Sequence, residues 1–189
     1  MLSTYICFYR YQVTMIRGLF FLFLALAVNP GYGQDSEAVD SLILEMDSMP
    51  NTADKVNQLL KISTGLGNSY PIEAMNYATL ALALAIEVDD LPGEAAANKR
   101  KAQMYIYSGE FDKCIAANFQ ALKIFEKLGD SSGIATSFAD IGEVYNLRNQ
   151  SNNALQYHRK SLAIREKLGD KKAIASSLGN IGSRSEEHT

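Results

Sequence analysis

Three kinds of side chain in this sequence could carry chemistry. His158 could act as a general base or bind a metal, Cys114 could supply a thiolate nucleophile, and Lys99-Arg100-Lys101 could hold a phosphate. Each of these roles needs partners at a set spacing. No motif places further ligands or a catalytic carboxylate around His158, so a packed structural histidine is expected one turn after Ala154. Cys114 falls at a small-residue position of an apolar helical stripe, where a buried and inert thiol is expected. Three consecutive helical residues point in three directions, so the basic run cannot form a single phosphate patch and reads as a solvated face. The glycines sit at helix ends and inside helices, outside any strand-to-helix phosphate loop. An enzyme would have to assemble its site from Glu143, His158 or Cys114, and no two of these stand at motif spacing. The expectation is a non-catalytic segment with no cofactor and no metal.

Composition points the same way. The chain has 189 residues, 47% hydrophobic and 21% charged, which suits a folded protein of one or two small domains. With 18 Lys+Arg against 21 Asp+Glu, the net charge is −3, leaving no basic excess to neutralise a nucleic-acid backbone. Two cysteines and two histidines are too few for a disulfide framework or a closed zinc site.

Both ends read differently from the middle. Residues 1–33 contain no acid, and Arg17 precedes ten consecutive apolar residues, 19–28. A membrane-spanning helix needs about 20. A short basic start, a short apolar run and the breaker Asn29-Pro30-Gly31 suit a secretory signal peptide, with Met15 as its natural start. Gly31 and Gly33 then stand at −3 and −1 of a cut before Gln34, and no cysteine follows that would carry a lipid. The other reading is an uncleaved N-terminal anchor. Residues 34–52 form a leading segment, expected to be helical over 36–49. At the other end, Arg184-Ser185-Glu186-Glu187-His188-Thr189 breaks the preceding pattern and reads as a non-native, adapter-derived tail. The natural chain is therefore expected to continue past Ser183.

Between the ends lies an internal repeat. Lys127-Leu128-Gly129-Asp130 recurs forty residues later as Lys167-Leu168-Gly169-Asp170. The same shift pairs Tyr105 with Tyr145, Leu122 with Leu162, Ile134-Ala135 with Ile174-Ala175, and Ile141-Gly142 with Ile181-Gly182. Within each period the stripes Ala74/Tyr77/Ala81/Leu84/Val88, Cys114/Ala117/Ala121/Ile124/Leu128 and Ala154/Tyr157/Ser161/Ile164/Leu168 step by three and four, which is helical spacing. Small residues at 74, 114 and 154, and at 81, 121 and 161, let neighbouring helices approach closely. Gly129 and Gly169 end helices, and Asp130 with Ser131 can cap the next one. No segment alternates with period two. The fold class is all-α: an α-solenoid of antiparallel helix pairs, with repeats at 53–93, 94–133 and 134–173 and a fourth beginning at 174–183.

This pattern resembles the tetratricopeptide repeat family, in its variety with periods near forty. Phe138, Ile141-Gly142, Tyr145, Ala154 and Tyr157 carry the likeness in the third repeat, and Ala102, Tyr105, Cys114 and Ala121 in the second, where Asn98 and Lys101 depart from it. In that family the first helix of each pair lines a groove that takes an extended peptide or a partner helix. The resemblance therefore implies groove or partner-binding residues at Lys99, Gln103, Ile106 and Tyr107, at Thr136, Asp140, Glu143 and Asn146, and at Ser176 and Asn180. Of the positions used by the subfamily that clamps a C-terminal carboxylate, only Lys99 fits; Gln103, Asp140 and Ser176 do not. The implied partner is a protein or peptide, with no nucleic acid, and with the membrane reached only through the leader or a later helix.

The leader and the repeats together resemble the exported N-terminal sensor region of certain bacterial signalling proteins. That likeness implies a periplasmic or cell-envelope location, and a later membrane helix and output such as a histidine kinase, a nucleotide cyclase or a DNA-binding regulator. The competing expectation is a free periplasmic scaffold.

Overall fold

The computed structural model describes residues 42–43, 49–67 and 69–185. The chain divides into units 1–36 and 37–189. The leader and its cleavage point lie outside the described residues, as do 186–189 of the tail and most of the leading segment, of which helical Leu42 and Ile43 pack on the first-repeat core.

Seven helices follow: α1 Ala53–Leu66, α2 Pro71–Glu87, α3 Leu91–Tyr107, α4 Phe111–Leu128, α5 Ser131–Leu147, α6 Ser151–Leu168 and α7 Lys171–Ser185. No strand occurs among the described residues. Each helix packs on its neighbours in the chain, and α1 also touches α3. The result is three helix pairs followed by the first helix of a fourth, an all-α repeat solenoid.

The forty-residue period has a backbone cause. Left-handed residues recur every twenty positions: Asp89 (φ 55°), Gly109 (71°), Gly129 (67°), Asn149 (56°) and Gly169 (70°). Glycine adopts this conformation freely, and Asn and Asp are the side chains that tolerate it best. Each marks a tight turn between helices of 15 to 18 residues. After every second turn an aspartate caps the next pair. The carboxylates of Asp90, Asp130 and Asp170 accept, each at 3.0 Å, from the amides of Gly93, Gly133 and Ala173. Pro71 and Pro92 fall in the first turns of their helices, where no amide is needed. Helices α3, α5 and α7 thus start at Leu91, Ser131 and Lys171, three residues ahead of the repeat starts expected at 94, 134 and 174.

The interior follows the small-residue columns. Ala74, Cys114 and Ala154 are fully buried, as are Ala81, Ala121 and Ser161. One apolar cluster joins Val56, Leu59, Ile62, Leu84 and Met104; another joins Ala102, Cys114, Ala117 and Val144. Polar residues inside mostly serve the backbone. Ser63 Oγ donates to the carbonyl of Ala74 and Ser161 Oγ to that of Ala135, both at 2.7 Å. Asn98, out of pattern in the sequence, is buried with its Nδ2 on the carbonyl of Glu94 at 3.0 Å.

Candidate functional site: the face of the first helices

The residues singled out by register come from α3, α5 and α7. At i, i+3 and i+7 spacing, Arg100, Gln103 and Tyr107 share one face of α3, and Asp140, Glu143 and Leu147 the matching face of α5. An ion pair joins the two faces: Lys99 Nζ lies 2.6 Å from Asp140 Oδ2. Arg100 ties α3 back to α1, donating from Nε to Ser63 Oγ at 2.9 Å and from Nη2 to the Ser63 carbonyl at 2.5 Å. Its Nη1 reaches Gln103 Oε1 at 3.1 Å. Burial lowers the pKa of Arg100 from its usual value, and also that of its half-buried neighbour Lys101. The three consecutive basic residues therefore do not converge on a single anion.

Around this framework the face is open. Tyr107 is 58% exposed at the end of α3 and Leu147, forty residues on, is 46% exposed at the end of α5. Gln103 and Glu143 are exposed, Ile106 is half-buried beside them, and half-buried Thr136 donates its hydroxyl to the carbonyl of Ser132 at 2.8 Å. On α7, Ser176 is exposed and Asn180 half-buried. Asn146 is placed differently from its groove register: it is 7% exposed, with Nδ2 3.1 Å from His158 Nε2 between α5 and α6. Leu147, one position along, occupies the open surface instead.

Of the groups that could have supported catalysis, His158 and Cys114 lie inside, whereas Glu143 is exposed. His158 is 1% exposed, packed against Gly142. Cys114 is fully buried beside Asn118, whose Nδ2 stands 3.6 Å from its sulfur. Burial, with the charge of Asp140, pushes the thiol up to about 11, so it stays protonated at neutral pH and is a poor nucleophile. Among the described residues no three His, Cys, Asp or Glu side chains are grouped to hold a metal. No described helix is long and apolar enough to cross a membrane. A surface hollow of about 500 Å³ lies on α1 along Asn57, Leu60, Lys61 and Thr64, and none of these groups lines it.

One aromatic cluster is only partly legible in the sequence. Tyr157 of α6 stacks on Tyr145 of α5 at 5.4 Å between centroids, meets Phe119 of α4 edge-on at 6.3 Å, and lies 6.1 Å from Phe138. Lys160 sits over the rings of Tyr157 and Phe138, at 4.8 and 5.5 Å. Phe138, Tyr145 and Tyr157 are legible as repeat positions, but Phe119 comes from the previous pair and carries no counterpart signal.

Geometry and sequence comparison converge on one class. Residues 93–167 match the tetratricopeptide repeat family model. That stretch resembles the tetratricopeptide repeat family, and the helix pairs around it have the same fold. No curated protein matches its sequence. Among solved structures it is similar to the apo form of RapI, with 19% identity and a TM-score of 0.73 over 82% of this chain and 58% of RapI. It is likewise similar to a signal transduction ATPase with numerous domains and a tetratricopeptide repeat sensor from Pyrococcus horikoshii, with 13% identity and a TM-score of 0.73 over 82% and 24%. A kinesin light chain-like repeat protein from Podospora anserina matches with 18% identity and a TM-score of 0.61, covering 82% of each chain. This chain thus spans only part of RapI and about a quarter of the ATPase.

Proposed function

We propose that this protein is a scaffold that binds a protein or peptide segment on the face of α3, α5 and α7. The observation that carries this reading is the Lys99–Asp140 ion pair, which aligns two first-helix faces into one surface flanked by exposed Tyr107 and Leu147. Repeat solenoids use such extended surfaces for recognition, with a few anchor residues supplying most of the energy. The buried His158 and the protonated, buried Cys114 favour a binding role over a catalytic site built across the repeats. The binding test is retention of a peptide library by the whole protein and by Tyr107→Ser with Leu147→Ser. Retention is expected to fall about tenfold or more on loss of two anchors. Equal retention by both proteins would reject this face.

The scaffold is the exported, sensory part of a larger bacterial signalling protein. Supporting this are the acid-free leader with its ten-residue apolar run, and the similar Pyrococcus protein, whose tetratricopeptide repeats are its sensor. A free periplasmic scaffold is the second reading, favoured by the same leader. N-terminal sequencing of the protein recovered from its host is expected to begin at or near Gln34; an intact 19–28 segment in the cytoplasmic fraction would reject export. Gene sequence beyond the Ser183 codon separates the two readings, since a membrane-tethered sensor needs a further apolar run of about 20 residues.

A further inference from the structure

Helix α2 departs from its counterparts in the other two pairs. Of its 17 residues only Glu73 and Glu87 are charged. Its inner face is buried along Ala74, Ala78, Ala81 and Ala85. Its outer face is apolar as well: Ile72 is 73% exposed, Ile86 50%, and Ala83 is exposed between them. Forty and eighty residues on, the same three positions are again exposed, but they hold Asp112, Lys123 and Glu126 in α4 and Asn152, Ala163 and Glu166 in α6. Charged and polar side chains are what a solvent-facing helix stripe carries, and a helix apolar on both sides suits cover on both. We propose that the outer face of α2 pairs with the same face of a second copy of this chain.

The spacing of the outer residues favours a copy of itself as the occupant. Ile72, Asn76, Thr79, Ala83 and Ile86 step by four and three, the pattern of a two-stranded helical seam, here about 20 Å long. A two-fold axis parallel to α2 sets each residue against its own counterpart. Isoleucines then meet at both ends, the Asn76 amide faces an identical amide that can both donate and accept, and small Ala83 lets the helices approach. At about 100° per residue, Glu73 and Glu87 fall on one edge of the seam and Met75 and Leu82 on the other. The two-fold lays each edge against the opposite edge of the second copy, so the carboxylates of the two chains do not meet. A lipid surface fits less well. Helices that lie in a membrane interface carry Lys or Arg on their polar side, whereas the only charges of α2 are acidic. This surface is on a different helix from the peptide-binding face above, so the two stand or fall separately.

Sedimentation equilibrium of the whole protein tests the pairing. A monomer–dimer equilibrium is expected, with a dissociation constant of about 10–100 µM, because one seam buries less than a standard interface. Ile72→Ser with Ile86→Ser is expected to weaken the dimer about tenfold or more. Lys123→Ser with Glu126→Ser, at the equivalent places on α4, should leave it unchanged. Ala83→Cys is expected to give a disulfide-linked dimer on mild oxidation, beyond any formed by the wild type, since Cys114 is buried. Circular dichroism of each variant confirms that the helices are intact. A protein that stays monomeric, an association untouched by the isoleucine substitutions, or an Ala83→Cys protein without a linked dimer overturns the inference. So does a monomer that binds phosphatidylcholine vesicles through Ile72 and Ile86, which assigns the face to lipid. Association that is lost with Tyr107→Ser and Leu147→Ser, but kept without the two isoleucines, also overturns it and leaves the peptide-binding face standing.

Discussion

Gly142 sets how closely α5 and α6 approach at His158. A Cβ at that position would stand 2.8 Å from His158 Cε1 and 2.9 Å from Nδ1, inside any normal contact. Forty residues earlier the same two positions hold Ala102 and Asn118, a larger residue facing a smaller one. Gly142→Ala gains about 1 kcal/mol of helix propensity, yet overpacking a buried ring costs about 1–3 kcal/mol, so the substitution is expected to destabilise. Adding His158→Asn recreates the second-repeat pair and is expected to recover at least about 1 kcal/mol relative to additivity. Urea unfolding of the two single variants and the double variant measures this, and strictly additive effects would mean that the two positions do not compensate. This pair also shows what the sequence discloses at residue scale. Stripe counting selected Tyr77, Ala117 and Tyr157 as the inward column, but Ala78, Asn118 and His158 lie deeper, at 0, 1 and 1% exposure. Both columns satisfy helical spacing; only the neighbouring helix decides between them. Asn146 is a further case, since its register suits the open face and its amide instead turns to His158.

At the scale of the element, the helix ends are the most regular feature of the chain. Asp90, Asp130 and Asp170 satisfy the third helical amide in the same way, forty residues apart. Asp130→Ala is expected to cost about 1 kcal/mol of global stability, the usual value of an N-cap carboxylate. The same change at Asp170 is expected to shift the global transition less, because it loosens an end helix; chemical denaturation of the two variants compares them directly. Equal losses at both sites would argue that α7 folds as part of the same cooperative block. Gly129-Asp130 and Gly169-Asp170 made two of these junctions legible in the sequence, because a left-handed glycine followed by a capping aspartate is a local chemical signal. Asp89-Asp90 uses the same backbone without glycine and gives no such cue. Apolar residues alone instead place the repeat starts at Ile134 and Ile174. That phasing misses the first helical turn, Ser131-Ser132-Gly133, whose two serines are exposed and whose glycine is buried. The Lys99–Asp140 pair was beyond reach for a different reason: its partners are 41 residues apart and meet only once α3 and α5 are side by side.

Helices α1 to α7 stack in chain order, so their stability is distributed along the series rather than held in one centre. Helices in the middle pack on neighbours at both sides, whereas α7 packs chiefly on α6. Leu178 of α7 is 52% exposed, although Phe138, its counterpart on α5, is half-buried beneath Tyr157 and Lys160. What holds α7 in part is Arg165 of α6, whose Nη1 donates to Ser177 Oγ at 2.7 Å and to the Ala173 carbonyl at 3.2 Å. In a nearest-neighbour solenoid an end helix opens without the rest, so amide exchange should be fastest in α7 and slowest across α3, α4 and α5. Arg165→Ala is expected to speed exchange in α7 by about fivefold, the equivalent of about 1 kcal/mol for partly exposed charge-assisted hydrogen bonds. Exchange in α3 and α4 should barely change. Hydrogen exchange read by mass spectrometry resolves the helices separately. If Arg165→Ala raised exchange equally in every helix, α7 would be opening only with the whole fold, and the stack would be a single cooperative unit.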